Sequence, residues 1–412
     1  MRSVLSNFTK ERNPRDCEPI ISRPLRVAHK ATKQDTRSQN RRLVLQQVFR
    51  SESTTRAEIA RSTHLTAATV SHLVSELVEQ GLVRSIGTGP SAGGKPPTLY
   101  SIANDSRCVG AVDLSNGLIA GKVTDLRDQV VSRLDPRRIG KTGEGAVRLL
   151  EDTIAELIDS ATAPLLGFGI ATPGVIDDDG RVIEASNLAW RDLPLRQQLE
   201  DRFGLAVHIM NNSRAVALAE YAQVADSTNN LIALKIGRGV GAGIILDGRL
   251  YTGDAFGAGE IGHVGSGPDA PLCACGNRGC LEKTISVPSL ATALRGHGFG
   301  TAATSDREVL EAAATAAAQG NREAIGVIDA AGRRLGTTVA TLVGVLDIHA
   351  LVITGGIEAL GEGLLESARS ELAKRVLPAL ASKTLLRFGT VGPEAALQGA
   401  VSLVLHHELG VV

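Results

Sequence analysis

"GEIGHVGSGPDAPLCACGNRGCLE", residues 259–282, holds three of the chain's five cysteines within eight positions, and a histidine ten residues ahead of the first. Cys273 and Cys275 are too close in sequence to bridge each other without strain, so a disulfide knot is a poor explanation. A redox pair would read C-x-x-C, which the stretch lacks. One imidazole and three thiols are the closed donor set that tetrahedral zinc prefers, with no position left for a reactive water. Gly276 and Gly279 allow the sharp turns that aim Cys275 and Cys280 at one ion. The spacing predicts a structural zinc site on His263, Cys273, Cys275 and Cys280.

Outward from this loop, the 412-residue chain is long enough for two or three domains. Its apolar and charged fractions are those of an ordinary soluble protein. No run of about 18 uncharged apolar residues is present, so no membrane insertion is expected. The N-terminus lacks the apolar segment of a signal peptide. Sparse, clustered cysteines suit a reducing compartment, and a cytoplasmic, nucleoid-associated location is expected. Net charge is zero but uneven: residues 1–100 carry 16 Lys and Arg against 8 Asp and Glu, and the remainder 28 against 36. A basic end on an acidic body is the asymmetry of a chain with one end on a polyanion. A solvated basic tail is the alternative.

Residues 1–36, with Pro14, Pro19 and Pro24 and no apolar period, read as a disordered extension. "QNRRLVLQQVFRS" (39–51) places Leu43, Val44 and Val48 at helical spacing. The next stretch, from Thr54, gives a short helix, a tight connection and a longer helix stopped by Gly81, with Leu73, Leu77 and Val78 on one face. "SIGTGPSAGGKPPTLYSI" (85–102) reads as a hairpin wing. Residues 37–102 are thus expected to be a winged helix-turn-helix. Its second helix would offer Thr66, Ala67, Ala68, Thr69, Ser71 and His72 to operator DNA in the major groove. Arg56 and Lys95 are candidates for phosphate or minor-groove contact. A three-helix protein-interaction module is the competing reading. From Cys108 onward, apolar runs such as "VGAVDL", "LLGFGIATPG", "NLIALKIG" and "ALVITGG" interleave with helical patterns, which predicts an α/β body with a hint of duplication.

The run from "GEIGH" through "CACGNRGCLE" resembles the signature of the ROK family of bacterial sugar kinases and sugar-responsive repressors, and the N-terminal helix-turn-helix is similar to the repressor branch. The resemblance covers about residues 38–410. It implies an actin/hexokinase-like (ribonuclease H-like) duplicated α/β body of two lobes over residues 107–410, with a sugar cleft between the lobes and a zinc loop around 263–282. In the family, the matching positions of Glu260, His263 and Glu282 hold sugar hydroxyls. "ASNLAW" gives Asn187, and "IMNNSRAVALAE" gives Asn211 and Asn212, as further sugar contacts by the same resemblance. Carboxylates and amides do suit vicinal hydroxyls, although each Asn could instead cap a turn or helix.

A kinase needs a base beside the attacking hydroxyl and a phosphate cradle. The family's kinases carry that base as the aspartate of an Asn-Asp pair, and here the pair is Asn211-Asn212. An amide accepts no proton at neutral pH. The first phosphate loop, "DLSNGLIAGK" (113–122), keeps Asp113 but has Ser115-Asn116 where the kinases have small glycines. The second, "IGRGVGAGIILDG" (236–248), keeps Gly237, Gly239, Gly241 and Gly243. The expectation is a non-enzymatic, sugar-responsive DNA-binding regulator, a repressor of carbohydrate uptake or catabolism genes, acting as a homodimer or homotetramer. The alternatives are a sugar kinase with an appended DNA-binding domain, and a regulator controlled by a protein partner.

Overall fold

The computed structural model describes residues 33–90, 96–225, 227–265 and 271–411. The N-terminal head is built from α1 (Lys33–Arg50), α2 (Arg56–Thr63), α3 (Ala67–Glu79) and an antiparallel hairpin of β1 (Val83–Thr88) and β2 (Thr98–Ile102). Most of the expected extension lies outside the described residues, but its last four residues already belong to α1. Thr55 opens α2 with a reciprocal capping box to Glu58, and Thr66 caps α3. The buried stripe of α3 is Val70, Leu73, Val74 and Leu77. Val78, expected on that face, is exposed, as is Leu43 on α1, where Val44, Leu45 and Val48 form the buried row. Each sits one step off the stripe, where a helix rotates a side chain by about 100° out of the contact.

The body consists of two sheets of one design. The first is formed by β3 (Cys108–Asp113), β4 (Leu118–Thr124), β5 (Val130–Arg138), then, after α4 (Glu144–Asp159), β6 (Leu165–Thr172). A small three-stranded sheet of β7 (Val175–Ile176), β8 (Val182–Ala185) and β9 (Trp190–Leu193) follows. Helix α5 (Leu195–Phe203) then leads to β10 (Val207–Asn211), which completes the first sheet in the order β5-β4-β3-β6-β10. Its first three strands form an antiparallel meander, and β6 and β10 run parallel to β3.

After α6 (Asn212–Ala222), the second sheet repeats the plan. Strands β11 (Leu231–Ile236), β12 (Val240–Leu246) and β13 (Arg249–Leu250) form the meander. The cysteine-rich loop and helices α7 (Glu282–Ile285), α8 (Val287–Gly296), α9 (Asp306–Ala318) and α10 (Arg322–Leu346) come next. Strand β14 (Ala350–Thr354), then α11 (Glu362–Arg375), α12 (Pro378–Ala381) and β15 (Leu385–Phe388) close the order β13-β12-β11-β14-β15. The same strand order and senses in both sheets establish the duplication hinted at by the sequence.

Helix α13 (Ala395–Val404) packs on β3 and β6 and against α6, which itself lies on β11 and β12. The two helices thus join the lobes. They meet without side chains between them: a Cβ on Gly399 would lie 1.9 Å from the Ala215 carbonyl oxygen. Beyond α13 a π-turn, Leu405–Leu409, carries the chain to α1, where Gln46 Nε2 donates to the Gly410 carbonyl at 2.7 Å. The Arg127 guanidinium of the first lobe stacks 4.9 Å from the Phe49 ring and donates to the Ser51 carbonyl. The apolar interior is continuous across this junction: Val44, Leu45 and Val48 of α1 share one core with Leu405, Leu409 and Val411. Head and body are packed together rather than strung on a linker.

Candidate functional site

His263 ends a short 3-10 turn, Ile261–His263, and the cysteine loop folds back beside it through the bridges Gly265–Cys280 and Leu272–Arg278. Gly276 and Gly279 adopt φ of +89° and +68°, the left-handed conformation the turns require. The one ligand atom each of His263, Cys273, Cys275 and Cys280 lies within 4.8 Å of the others. Cys275 Sγ and Cys280 Sγ are 3.6 Å apart, and Cys273 Sγ is 3.8 Å from His263 Nδ1. A tetrahedral ion with Zn–S bonds of about 2.3 Å requires sulfur separations of about 3.8 Å. The cluster therefore has the donors and spacing for a metal ion. Burial and neighbouring thiols push the Cys280 thiol up to about 12, while the Asn277 backbone N–H, foremost, lowers that of Cys275. Together they form a thiol set that a cation would deprotonate.

Beside the cluster, Glu260 is largely buried, and that burial raises its carboxyl above the ordinary range against the opposing pull of His263 and Arg214. Asn211 Nδ2 donates to the Gly174 carbonyl (2.9 Å) and Glu260 Oε1 (3.4 Å), and its Oδ1 accepts from the N–H groups of Ser213 and Arg214. Asn211 is thus the N-cap of α6 and a positioning partner of Glu260. Asn212, which follows the cap, donates from Nδ2 to Ser115 Oγ at 3.1 Å, and Ser115 donates to Asp113 Oδ1 at 2.6 Å. Glu282 Oε2 accepts from the Val240 N–H at 3.1 Å. Asn187 stands apart: it is exposed on the turn between β8 and β9, without a hydrogen bond to this cluster among the described residues.

Three features escaped sequence reasoning. Asn116 reaches across the cleft, its Oδ1 accepting from the Arg238 N–H at 3.1 Å. Glu358 Oε2 accepts from the Gly356 N–H at 2.8 Å. Lys235 is 7% exposed, with Asp113 and Glu358 as the attracting charges that act on it. Burial pushes the Asp113 carboxyl up to about 6, against the pull of Lys235 and the Ser115 hydrogen bond, and lowers the Lys235 ammonium. A lysine inside the apolar run "LIALKI" was the available signal.

In the head, Thr66, Ala67, Ala68 and His72 are exposed along the start of α3, with Thr69 and Ser71 half-buried. The Thr66 hydroxyl is engaged with the Thr69 N–H and hydroxyl. Arg56 is held inside the head, donating to Ser75 Oγ and lying 5.1 Å from the Tyr100 ring centre. Lys95 lies outside the described residues.

A duplicated two-lobed α/β body with a His/Cys cluster beside its cleft, carrying a helix-turn-helix head, defines the class. Residues 109–407 match the ROK family, and residues 45–87 match the IclR helix-turn-helix domain. The chain belongs to the ROK family. It is 31% identical over 383 residues to the xylose repressor of Caldicellulosiruptor bescii, covering 89% of this chain and 95% of the relative. A crystal structure of a ROK family transcriptional regulator, a homologue of the E. coli MLC protein, shares the fold with a TM-score of 0.78 at 23% identity, covering 91% of this chain and 97% of that one. A ROK family glucokinase from Streptomyces griseus, in complex with glucose and AMPPNP, superposes with a TM-score of 0.61 at 27% identity, covering 72% and 98%. No described helix is long and apolar enough to cross a membrane.

Proposed function

We propose that this chain is a sugar-responsive transcriptional repressor whose kinase-like cleft senses a sugar and performs no phosphoryl transfer. The observation that carries the reading is Asn212. At the position where a sugar kinase needs a proton acceptor, the chain has an amide that donates its hydrogen to Ser115. Losing a general base costs about 10²–10⁴-fold in rate. The similarity over nearly the whole length to a protein named a xylose repressor supports the same conclusion.

In this reading Glu260, His263, Glu282 and Asn212 face the sugar, Asn211 positions Glu260, and Asn187 joins only on closure of the β7–β9 sheet over the cleft. Zinc held by His263, Cys273, Cys275 and Cys280 would fix the orientation of the imidazole, whose other ring nitrogen would then be available to a hydroxyl. Residues 37–102 act as the DNA-binding unit, residues 107–410 as the sensor. A homodimer or homotetramer places two recognition helices on one palindromic operator. Sugar binding stabilises one arrangement of the lobes, and α6, α13 and the π-turn carry that arrangement to α1. An assay for nucleoside diphosphate release across monosaccharides tests the non-enzymatic part. No turnover above a protein-free control is expected; sugar-dependent turnover that Asn212→Ala abolishes would overturn the reading.

A further inference from the structure

Between the first lobe and the head lies a cluster of imidazoles that neither the His263 site nor the cleft uses. The π-turn Leu405–Leu409 buries Leu405 and Leu409 in the core shared with Val44, Leu45 and Val48 of α1, and holds His406, His407 and Glu408 between them. One residue on, the Gly410 carbonyl accepts from Gln46 Nε2 of α1, and a Cβ on Gly410 would stand 2.6 Å from the Arg42 side chain. The head therefore rests on a turn whose middle residues are two histidines and a carboxylate. Such a turn is a costly backbone form, found mostly as a single turn inside or beside an α-helix.

The partner of the turn in the lobe is His208 of β10. It is 8% exposed, its Nε2 lies 2.7 Å from Glu408 Oε1, and its ring stacks on that of His407 with centroids 4.4 Å apart and planes 11° from parallel. His406 stands edge-on to His407 at 5.6 Å. The other charged groups around them are Arg42 of α1 and the α5 pair Arg196 and Glu200, whose carboxylate also accepts from the Val207 N–H. Strand β6 and helix α13, packed against β10, carry no charged side chain. Helix α6 commits its Arg214 and Glu220 to the Thr252 carbonyl and the Thr390 N–H. Among the described residues only the His263 cluster has the spacing of a metal site, so these imidazoles answer to protons instead.

Two neutral rings stack without repulsion, and a proton on His208 is matched by the Glu408 carboxylate. A second proton, on His407, puts two cationic rings face to face with one carboxylate to share. Like charges about 4 Å apart repel enough, even in water, to shift an equilibrium about fivefold. Partial burial, then the positive charges of His208, His406 and Arg196, lowers the His407 imidazole from its ordinary value, with Glu408 pulling the other way. We propose that His208, His406, His407 and Glu408 form a proton-operated latch for the head. With His407 neutral, the stacked rings hold the π-turn on β10 and the turn holds α1; a proton on His407 drives the rings apart and loosens the head. The latch acts whichever ligand the cleft takes.

Hydrogen exchange of the full-length protein at pH 7.5 and 5.5, corrected for the intrinsic pH dependence of exchange, reads the opening of the π-turn and of α1. Opening of both is expected to rise about fivefold or more on acidification. His407→Phe keeps a ring to stack but takes no proton, and should abolish the rise. His407→Arg carries a permanent charge and should show the acid value at pH 7.5. His407 is exposed, so neither change empties the core. DNA affinity is the second readout: its ratio between the two pH values should differ between the unmodified chain and His407→Phe, because protons taken up by His64 and His72 of the head are common to both. Opening that does not change with pH in the unmodified chain would overturn the latch, and needs no variant to fold. The same rise in His407→Phe, an opening of the turn that leaves α1 untouched, or equal DNA-affinity ratios would overturn it as well.

Discussion

At the scale of single residues, two amides hold the cleft together: Asn212 donates to Ser115, and Asn116 accepts from a backbone N–H across 122 positions of sequence. The metal cluster makes the sharpest claim. Cys275→Ser removes one of four donors, so the protein should lose its stoichiometric zinc by metal analysis and melt at lower temperature, and chelation of the unmodified chain should lower its melting point to match. Full zinc retention by the variant would contradict the assignment. Asp113 makes a claim about pH. Its folded pKa of about 6 stands above the ordinary value of 3.8, so the native state binds the proton more tightly than the unfolded chain. Between about pH 4 and pH 6 this group makes stability fall as pH rises. The melting curve of Asp113→Asn should lack that component, so the difference between variant and unmodified chain changes across this window and is flat above it.

At the scale of elements, the decisive feature is the pair α6 and α13. Gly399 lets α13 touch the α6 backbone, and Gly169 on β6 does the same for the Ala400 carbonyl, which lies 2.0 Å from where a Cβ would stand. Gly399→Ala forces these helices apart. It should cost about 1–3 kcal/mol or more, as overpacking does, and it should weaken any sugar effect on DNA binding more than it weakens sugar binding itself. Legibility in sequence follows the range of the interactions. The His/Cys cluster and the apolar strands of the two sheets are written in local spacing, and sequence reading finds them, whereas the caps at Thr55 and Thr66, equally local, went unnamed. Strand β5 has a mostly exposed, charged edge and gives no apolar signal. The Asn116 bond and the surroundings of Lys235 arise only when two lobes meet, so no window of sequence contains them. The place of Arg56 against Ser75 and Tyr100 depends likewise on how α3 and the wing fold back over α2.

At the scale of the whole molecule, the head is docked on the body through the C-terminal turn, which meets Gln46 of α1, and through Arg127, which meets the Ser51 carbonyl. The chain's charge asymmetry, a basic N-terminal end on an acidic body, suits a head that meets a polyanion. The most direct test of the account is fluorescence polarisation with full-length zinc-bound protein on a DNA duplex selected from a random-sequence pool, titrated with sugars and sugar phosphates, with and without ATP. The account predicts that one member of the panel changes DNA affinity about tenfold or more without any ATP requirement, and that Glu260→Ala abolishes the response while keeping DNA binding. DNA affinity that stays constant across the whole panel, or a response that appears only when ATP is consumed, would contradict it.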